Sequence, residues 1–367
     1  MQLSPESPFS ISELLGTEVF GMDVDQKNIL YKKAMINLCL RHADNCEPYR
    51  RLIEVIGAKP SSFESVTDVP FLPVRLFKDF ELRSVDRENI VKTLTSSGTT
   101  GQKVSKIFLD RENAANQSKV LAKIVGNFIG KRRLPMLVLD SNTIVKDRAM
   151  FSARGAGVLG FSMFGQDLTY AFNEQMQLDL RTLEAFLEKH SGQTILVFGF
   201  TYIIWQHFYR TLASSGVRLD LKDGLLIHGG GWKKLIEEAV DSDTFKKLLG
   251  DVCGIQRVHN YYGMVEQTGS IFMECEAGFF HASIFSDLLI RDHRDFSIVP
   301  DGTIGLVQLL SLLPSSYPGH SILSEDLGQV IGVDTCACGR KGKYFLLHGR
   351  IKNAEIRGCS DAYTPTN

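Results

Sequence analysis

Between residues 24 and 58, Ile29, Leu30, Ala34, Leu38, Tyr49, Leu52 and Ile56 recur among charged positions at broadly helical intervals, which predicts a leading helical segment. Pro60, Pro70 and Pro73 then punctuate a loop-rich stretch. Asp110 is placed to cap a helix running to about Ile129. Three short apolar runs follow, at 134–140, 194–200 and 224–230, separated by helical patterns over 173–189, 202–214 and 232–249. That alternation predicts a parallel sheet with crossover helices. After Gly278 the helical period disappears. The runs IFSDLLI, TIGLVQLL, GQVIGV and KYFLLHG, with turns such as Pro300-Asp301-Gly302 between them, predict an antiparallel sheet or small barrel.

Composition narrows the class. The 367 residues are 44% hydrophobic, enough for a substantial core. Forty-one basic and 42 acidic side chains nearly cancel, so no bulk field draws the chain to nucleic acid or an anionic membrane. The first residues lack the basic start and long apolar stretch of a secretory signal, and the longest apolar run, TILVFGFTYIIW, falls short of the ~20 residues that span a bilayer. The expectation is a soluble cytoplasmic protein without a membrane span. Seven scattered cysteines argue for reduced thiols rather than a disulfide framework.

Several segments carry chemistry. In TSSGTTGQKVS, Ser96, Ser97, Thr99 and Thr100 surround Gly98 and Gly101, with Lys103 just beyond. Glycine-exposed backbone N–H groups, hydroxyls and one cation together make a donor site for phosphate oxygens. The spacing is not that of the Walker loop, and a Ser/Thr-rich hairpin is the plainer alternative. HGGGWKK places Gly229, Gly230 and Gly231 after a predicted strand and before a predicted helix, where open α/β sheets bind ligands and where a flat ring can approach the backbone. In HNYYGMVEQTG, Tyr262 and Gly263 offer a purine platform, and Glu266 offers a carboxylate suited to Mg²⁺ bound against phosphate oxygens. SEDLG reads as a turn presenting Asp326 to ribose hydroxyls, and Arg350 in HGRIKNAEIRG is a donor to the same sugar.

The thiols suggest a metal. Cys336 and Cys338 stand one residue apart, and Cys275 precedes His281 by six; three cysteines and one histidine are a familiar structural zinc set, with reduced thiols near a turn as the alternative. Cys39, Cys46 and Cys253 read as core fillers. Aromatic residues over 151–164 and 198–208 either line an acyl slot or belong to the core.

In this order, the hydroxyl-glycine loop, glycine turn, Tyr-Gly-x-x-Glu, Asp segment and Gly-Arg-x-Lys resemble the adenylate-forming acyl-CoA synthetases and luciferases. SSGTTGQKVS, HGGGWK, YGMVEQTGS and GRIKNAEIRGCSD together are similar to the LuxE-type acyl-protein synthetases. The resemblance implies an α/β adenylate-forming core over 71–349, preceded by the helical segment 1–70 and followed at 350–367 by a hinge and short tail in place of the usual mobile domain. It implies ATP and Mg²⁺ as cofactors, a fatty acid as substrate and a reductase or carrier protein as acyl acceptor. By resemblance, Ser96, Ser97, Thr99, Thr100 and Lys103 contact pyrophosphate oxygens. Gly229 to Gly231 and Tyr262 frame adenine, Glu266 holds Mg²⁺, and Asp326 and Arg350 grip ribose.

Two departures stand out. Val265 occupies the place where the superfamily usually has threonine, and the catalytic lysine of the mobile domain has no obvious counterpart, which leaves Lys103, Lys233 and Lys352 as candidate cations. The resemblance also makes Cys359 the acylated thiol. Arg350, Lys352 and Arg357 would favour its thiolate, and Gly358 would let the tail bend. The alternatives are an external pantetheine thiol and an inactive nucleotide-binding scaffold.

Overall fold

The computed structural model describes residues 10–96, 103–146 and 153–351. They form two compact units. One comprises the chain up to Ile124 with Gly263–Phe272 and His281–Leu346; the other comprises Val125–Tyr262, Met273–Phe280 and the chain from Leu347.

In the first unit the predicted leading helices run over Val24–Asn45 and Glu47–Val55. Asp23 caps the longer one by accepting from the Gln26 amide at 2.9 Å. The strands Ser286–Arg291, Gly305–Ser311 and Ser321–Val333 pair antiparallel, as the loss of helical period predicts, and Leu72–Pro73 adds in parallel to the last of them. A separate hairpin joins Ile90–Thr95 to Lys106–Asp110. Asp110 ends that hairpin and accepts from the Asn113 amide at 2.8 Å, starting the Arg111–Ile129 helix where expected.

The second unit is built on parallel strands in the order Arg257–Tyr262, Gly224–Gly229, Ile195–Phe200, Leu134–Ser141, Gly165–Phe172. The Gly165–Phe172 strand escapes the hydrophobic pattern because its first residues, Gly165, Gln166 and Asp167, read as a turn.

The helical expectations over 173–189 and 232–249 start too early. Asn173 Oδ1 accepts from the Gln175 and Gln177 amides at 3.0 Å each, closing a turn, so the helix begins only at Leu180 beneath the Asp179 cap. Likewise Lys233–Glu238 is a kinked 3₁₀ segment, and the α-helix is Ser242–Cys253, capped by Asp241. The third crossover contains a π-helical turn at Ile204–Tyr209. Phe198, Phe200 and Phe208 are at most 1% exposed, and Phe161 stacks on Phe198 with ring centroids 4.4 Å apart, so these aromatics are core of this unit.

Candidate functional site

The hydroxyl-glycine loop is held at its base. Ser96 N–H donates to Ser105 O at 3.1 Å, and Ser105 N–H donates to Ser96 Oγ at 2.9 Å, closing the hairpin ladder. Ser97, Gly98, Thr99, Thr100 and Gly101 lie outside the described residues. Lys103 Nζ lies 3.3 Å from Asp79 Oδ1 in an exposed pair that water screens strongly.

At the sheet edge of the second unit, Gly229 is required by a neighbour. A Cβ there would lie 2.4 Å from a ring carbon of Tyr261, so only glycine lets the tyrosine pack this close. Gly230 adopts φ +76°, a conformation open chiefly to glycine. Thr201 Oγ lies 3.2 Å from Gly229 O and 3.0 Å from His228 Nδ1, tying the glycine turn to the adjacent strand. Tyr261 and Tyr262 end the Arg257–Tyr262 strand, with Tyr262 1% exposed.

That strand is anchored by a residue that belongs to none of the motifs. Glu274, 2% exposed, accepts from Lys246 Nζ and Ser242 Oγ at 2.8 Å each and from the Asn260 amide at 3.0 Å. A buried carboxylate with three donors is compensated for its lost hydration.

In the first unit Glu266 sits on the 3₁₀ turn Val265–Gln267 with its side chain withdrawn from water, 1% exposed. A buried hard oxygen donor fits Mg²⁺, which takes one or two carboxylates and otherwise substrate oxygens and water. Asp326 is not in a turn. It lies within the long Ser321–Val333 strand, 5% exposed, its amide donating to Ser324 Oγ at 3.1 Å while Ser324 Oγ donates to Val307 O at 2.9 Å. The Asp-Leu-Gly sequence misleads because Gly328 pairs across the ladder with Gly305. Arg350 is the last residue of the Lys343–Arg350 strand, just after Gly349 at φ +93°.

The thiol set does come together. One ligand atom each from Cys275, His281, Cys336 and Cys338 lie within 4.8 Å of one another, the first three residues buried. Cys338 Sγ is 3.3 Å from His281 Nε2, and the His281 ring stacks on Tyr344 with centroids 5.8 Å apart.

The family model described as acyl-protein synthetase, LuxE, matches residues 8–365. The chain belongs to this LuxE family. Two relatives are each named long-chain-fatty-acid–luciferin-component ligase. The one from Vibrio harveyi is 24% identical over 345 residues, covering 89% of this chain and 86% of the relative. The one from Aliivibrio fischeri is 24% identical over 285 residues, covering 73% and 71%. Among solved structures, 2-hydroxyisobutyryl-CoA ligase in its postadenylation state superposes with TM-score 0.70 at 16% identity, over 99% of this chain and 75% of that one. An open conformation of that ligase gives TM-score 0.70 at 17% identity, over 98% and 82%. The fold is that of the adenylate-forming ligases.

In this LuxE-family chain, Lys352, Arg357, Cys359 and Phe151 lie outside the described residues, and of Lys233 only the backbone is described. Among the described residues no helix is long and apolar enough to cross a membrane. The Cys/His cluster could hold a metal, and three thiols with one imidazole are a donor set of structural zinc sites. Elemental analysis of the purified protein is expected to find about one zinc per chain. Cys336→Ser should lower zinc affinity at least about 100-fold and lower the melting temperature with it. A metal-free protein with wild-type stability would contradict this assignment.

Proposed function

We propose that this LuxE-family chain activates a fatty acid with ATP as an acyl-adenylate and transfers the acyl group to a protein thiol. Cys359 is the first acceptor and a partner reductase the next. The observation that carries the reading is the family match over residues 8–365; the adenylate-forming fold and the names of both relatives support it.

The chemistry solves two problems of a carboxylate, its negative charge and its lack of a leaving group. A carboxylate oxygen attacks the α-phosphorus of ATP, the bond from that phosphorus to the bridging oxygen breaks, and pyrophosphate departs. The Cys359 thiolate then attacks the acyl carbon, and AMP leaves with the electrons of the acyl C–O bond.

In this proposal Ser96, Ser97, Thr99, Thr100 and the loop amides at Gly98 and Gly101 donate to the phosphate oxygens as charge develops there. Lys103 adds a cation, with Lys233 and Lys352 as further candidates for the lysine role. Gly229, Gly230, Gly231, Tyr262 and Gly263 take adenine, while Asp326 and Arg350 take ribose. Glu266 holds Mg²⁺, which when bound would neutralise phosphate charge.

Exchange of labelled pyrophosphate into ATP tests this. It should require the fatty acid. A scaffold subunit shows no exchange at any fatty-acid concentration, and that outcome defeats the proposal.

A further inference from the structure

Residues 313–320, LPSSYPGH, have the composition of a surface turn. All of them except Ser315 are buried, with Ser316, Tyr317 and His320 fully so. A buried loop needs partners for its backbone groups. Partners on one side of it come from elements 200 or more residues earlier in the chain.

Pro314 O can only accept, so His42 Nε2 carries the proton and donates to it at 3.1 Å. Burial holds the His42 pKa well below the usual imidazole range, so the ring is neutral and its Nδ1 accepts from Ser84 Oγ at 2.7 Å. Arg41 Nε donates to Ser315 O at 2.8 Å, and the Ser84 amide donates to Ser316 O at 2.8 Å. Asn113, at the start of the Arg111–Ile129 helix, is the centre. Its Oδ1 accepts from the amides of Ser315 and Ser316 at 3.2 and 3.3 Å, and its Nδ2 donates to Leu313 O at 3.0 Å. Ser316 Oγ lies 2.8 Å from both Asn113 Oδ1 and Phe108 O, and Phe108 belongs to the strand that leaves the hydroxyl-glycine loop.

The other side of the loop grips the Glu266 turn. Tyr317 Oη donates to Glu266 O at 2.8 Å, and Gln267 Nε2 donates to Gly319 O at 2.9 Å and Leu309 O at 3.2 Å. Gly319 permits the approach, since a Cβ there would lie 2.8 Å from Glu266 O. Gly269, at φ +90°, presses the end of the turn onto the same helix, where a Cβ would lie 2.7 Å from Gln117 O. The turn is therefore fixed from two sides by groups that cannot shift independently.

We infer that residues 313–320 are a clamp in which Tyr317 and Asn113 act as positioning residues, setting the Glu266 carboxylate relative to the strand that leaves the hydroxyl-glycine loop. The inference rests on the reading of Glu266 as the magnesium carboxylate. It predicts that loosening the clamp weakens magnesium use specifically, leaving acid recognition intact.

Tyr317→Phe removes one hydrogen bond and keeps the ring that packs edge-on to Phe77 at 6.3 Å. The magnesium concentration giving half-maximal pyrophosphate exchange is expected to rise about five- to tenfold. The KM for fatty acid should stay within about twofold, and the amides of residues 264–269 should take up deuterium faster. Unchanged magnesium dependence overturns the clamp, and so does a parallel rise in the fatty-acid KM, which general loss of packing would give. Slower or unchanged deuterium uptake also overturns it. If Tyr317→Phe does not fold, Ser316→Ala is judged by the same three readings. A wild type without exchange removes the Glu266 reading and the clamp together; an active wild type with an unaffected Tyr317→Phe removes the clamp alone.

Discussion

Glu266→Gln lowers fatty-acid-dependent pyrophosphate exchange by about 10²- to 10³-fold, the loss expected when one preorganised charge-stabilising group leaves a buried site. The substitution keeps the shape of a side chain that is 1% exposed and removes only its negative charge. Burying a carboxylate costs hydration that the neutral amide does not forfeit to the same degree. The melting temperature should therefore match or exceed that of the wild type while activity falls. Excess magnesium should not restore the rate, because glutamine supplies no anion to hold the ion against phosphate. Exchange measured across a magnesium series, beside a thermal melt, checks both parts. Wild-type exchange in Glu266→Gln would remove this residue from the chemistry.

Cys359→Ser separates the two half-reactions. Pyrophosphate exchange should persist within about twofold, since in the proposed order the thiol enters only after the adenylate has formed. Hydroxylamine-labile label from radioactive fatty acid on the purified protein should fall to background. Label retained on the serine variant would move the acceptor elsewhere, and the loss of exchange in that variant would show that the tail contributes to adenylation itself.

Part of the second unit could be read from its apolar runs because two of its strands are buried throughout: every residue of Ile195–Phe200 and Gly224–Gly229 is buried. Caps were legible as well, since Asp110 satisfies a helix end through a contact three residues away. Where the reading failed, a local signal was outvoted. Asn173 looked like the start of a helix, yet its side chain closes a turn by accepting two backbone amides. Asp326 looked like a turn residue, but the long-range register with the Gly305–Ser311 strand sets its conformation. The Tyr-Gly-x-x-Glu segment was visible as a motif, whereas its supports were not. Nothing near Tyr317 in the sequence announces that its hydroxyl meets a carbonyl 51 residues earlier, or that Asn113 satisfies a loop some 200 residues later. Prolines, serines and a glycine normally advertise exposure, and only distant partners make their burial tolerable here. The four zinc-type ligands were legible despite wide sequence separation because thiols and imidazole are few enough to be matched by chemistry alone.

The most direct test of fatty-acid adenylation is mass-spectrometric identification of the products after wild-type protein meets ATP, magnesium and a long-chain fatty acid without any thiol acceptor beyond its own. Acyl-AMP together with pyrophosphate is the predicted result. Release of ADP and phosphate, or intact ATP beside unmodified acid, would contradict it.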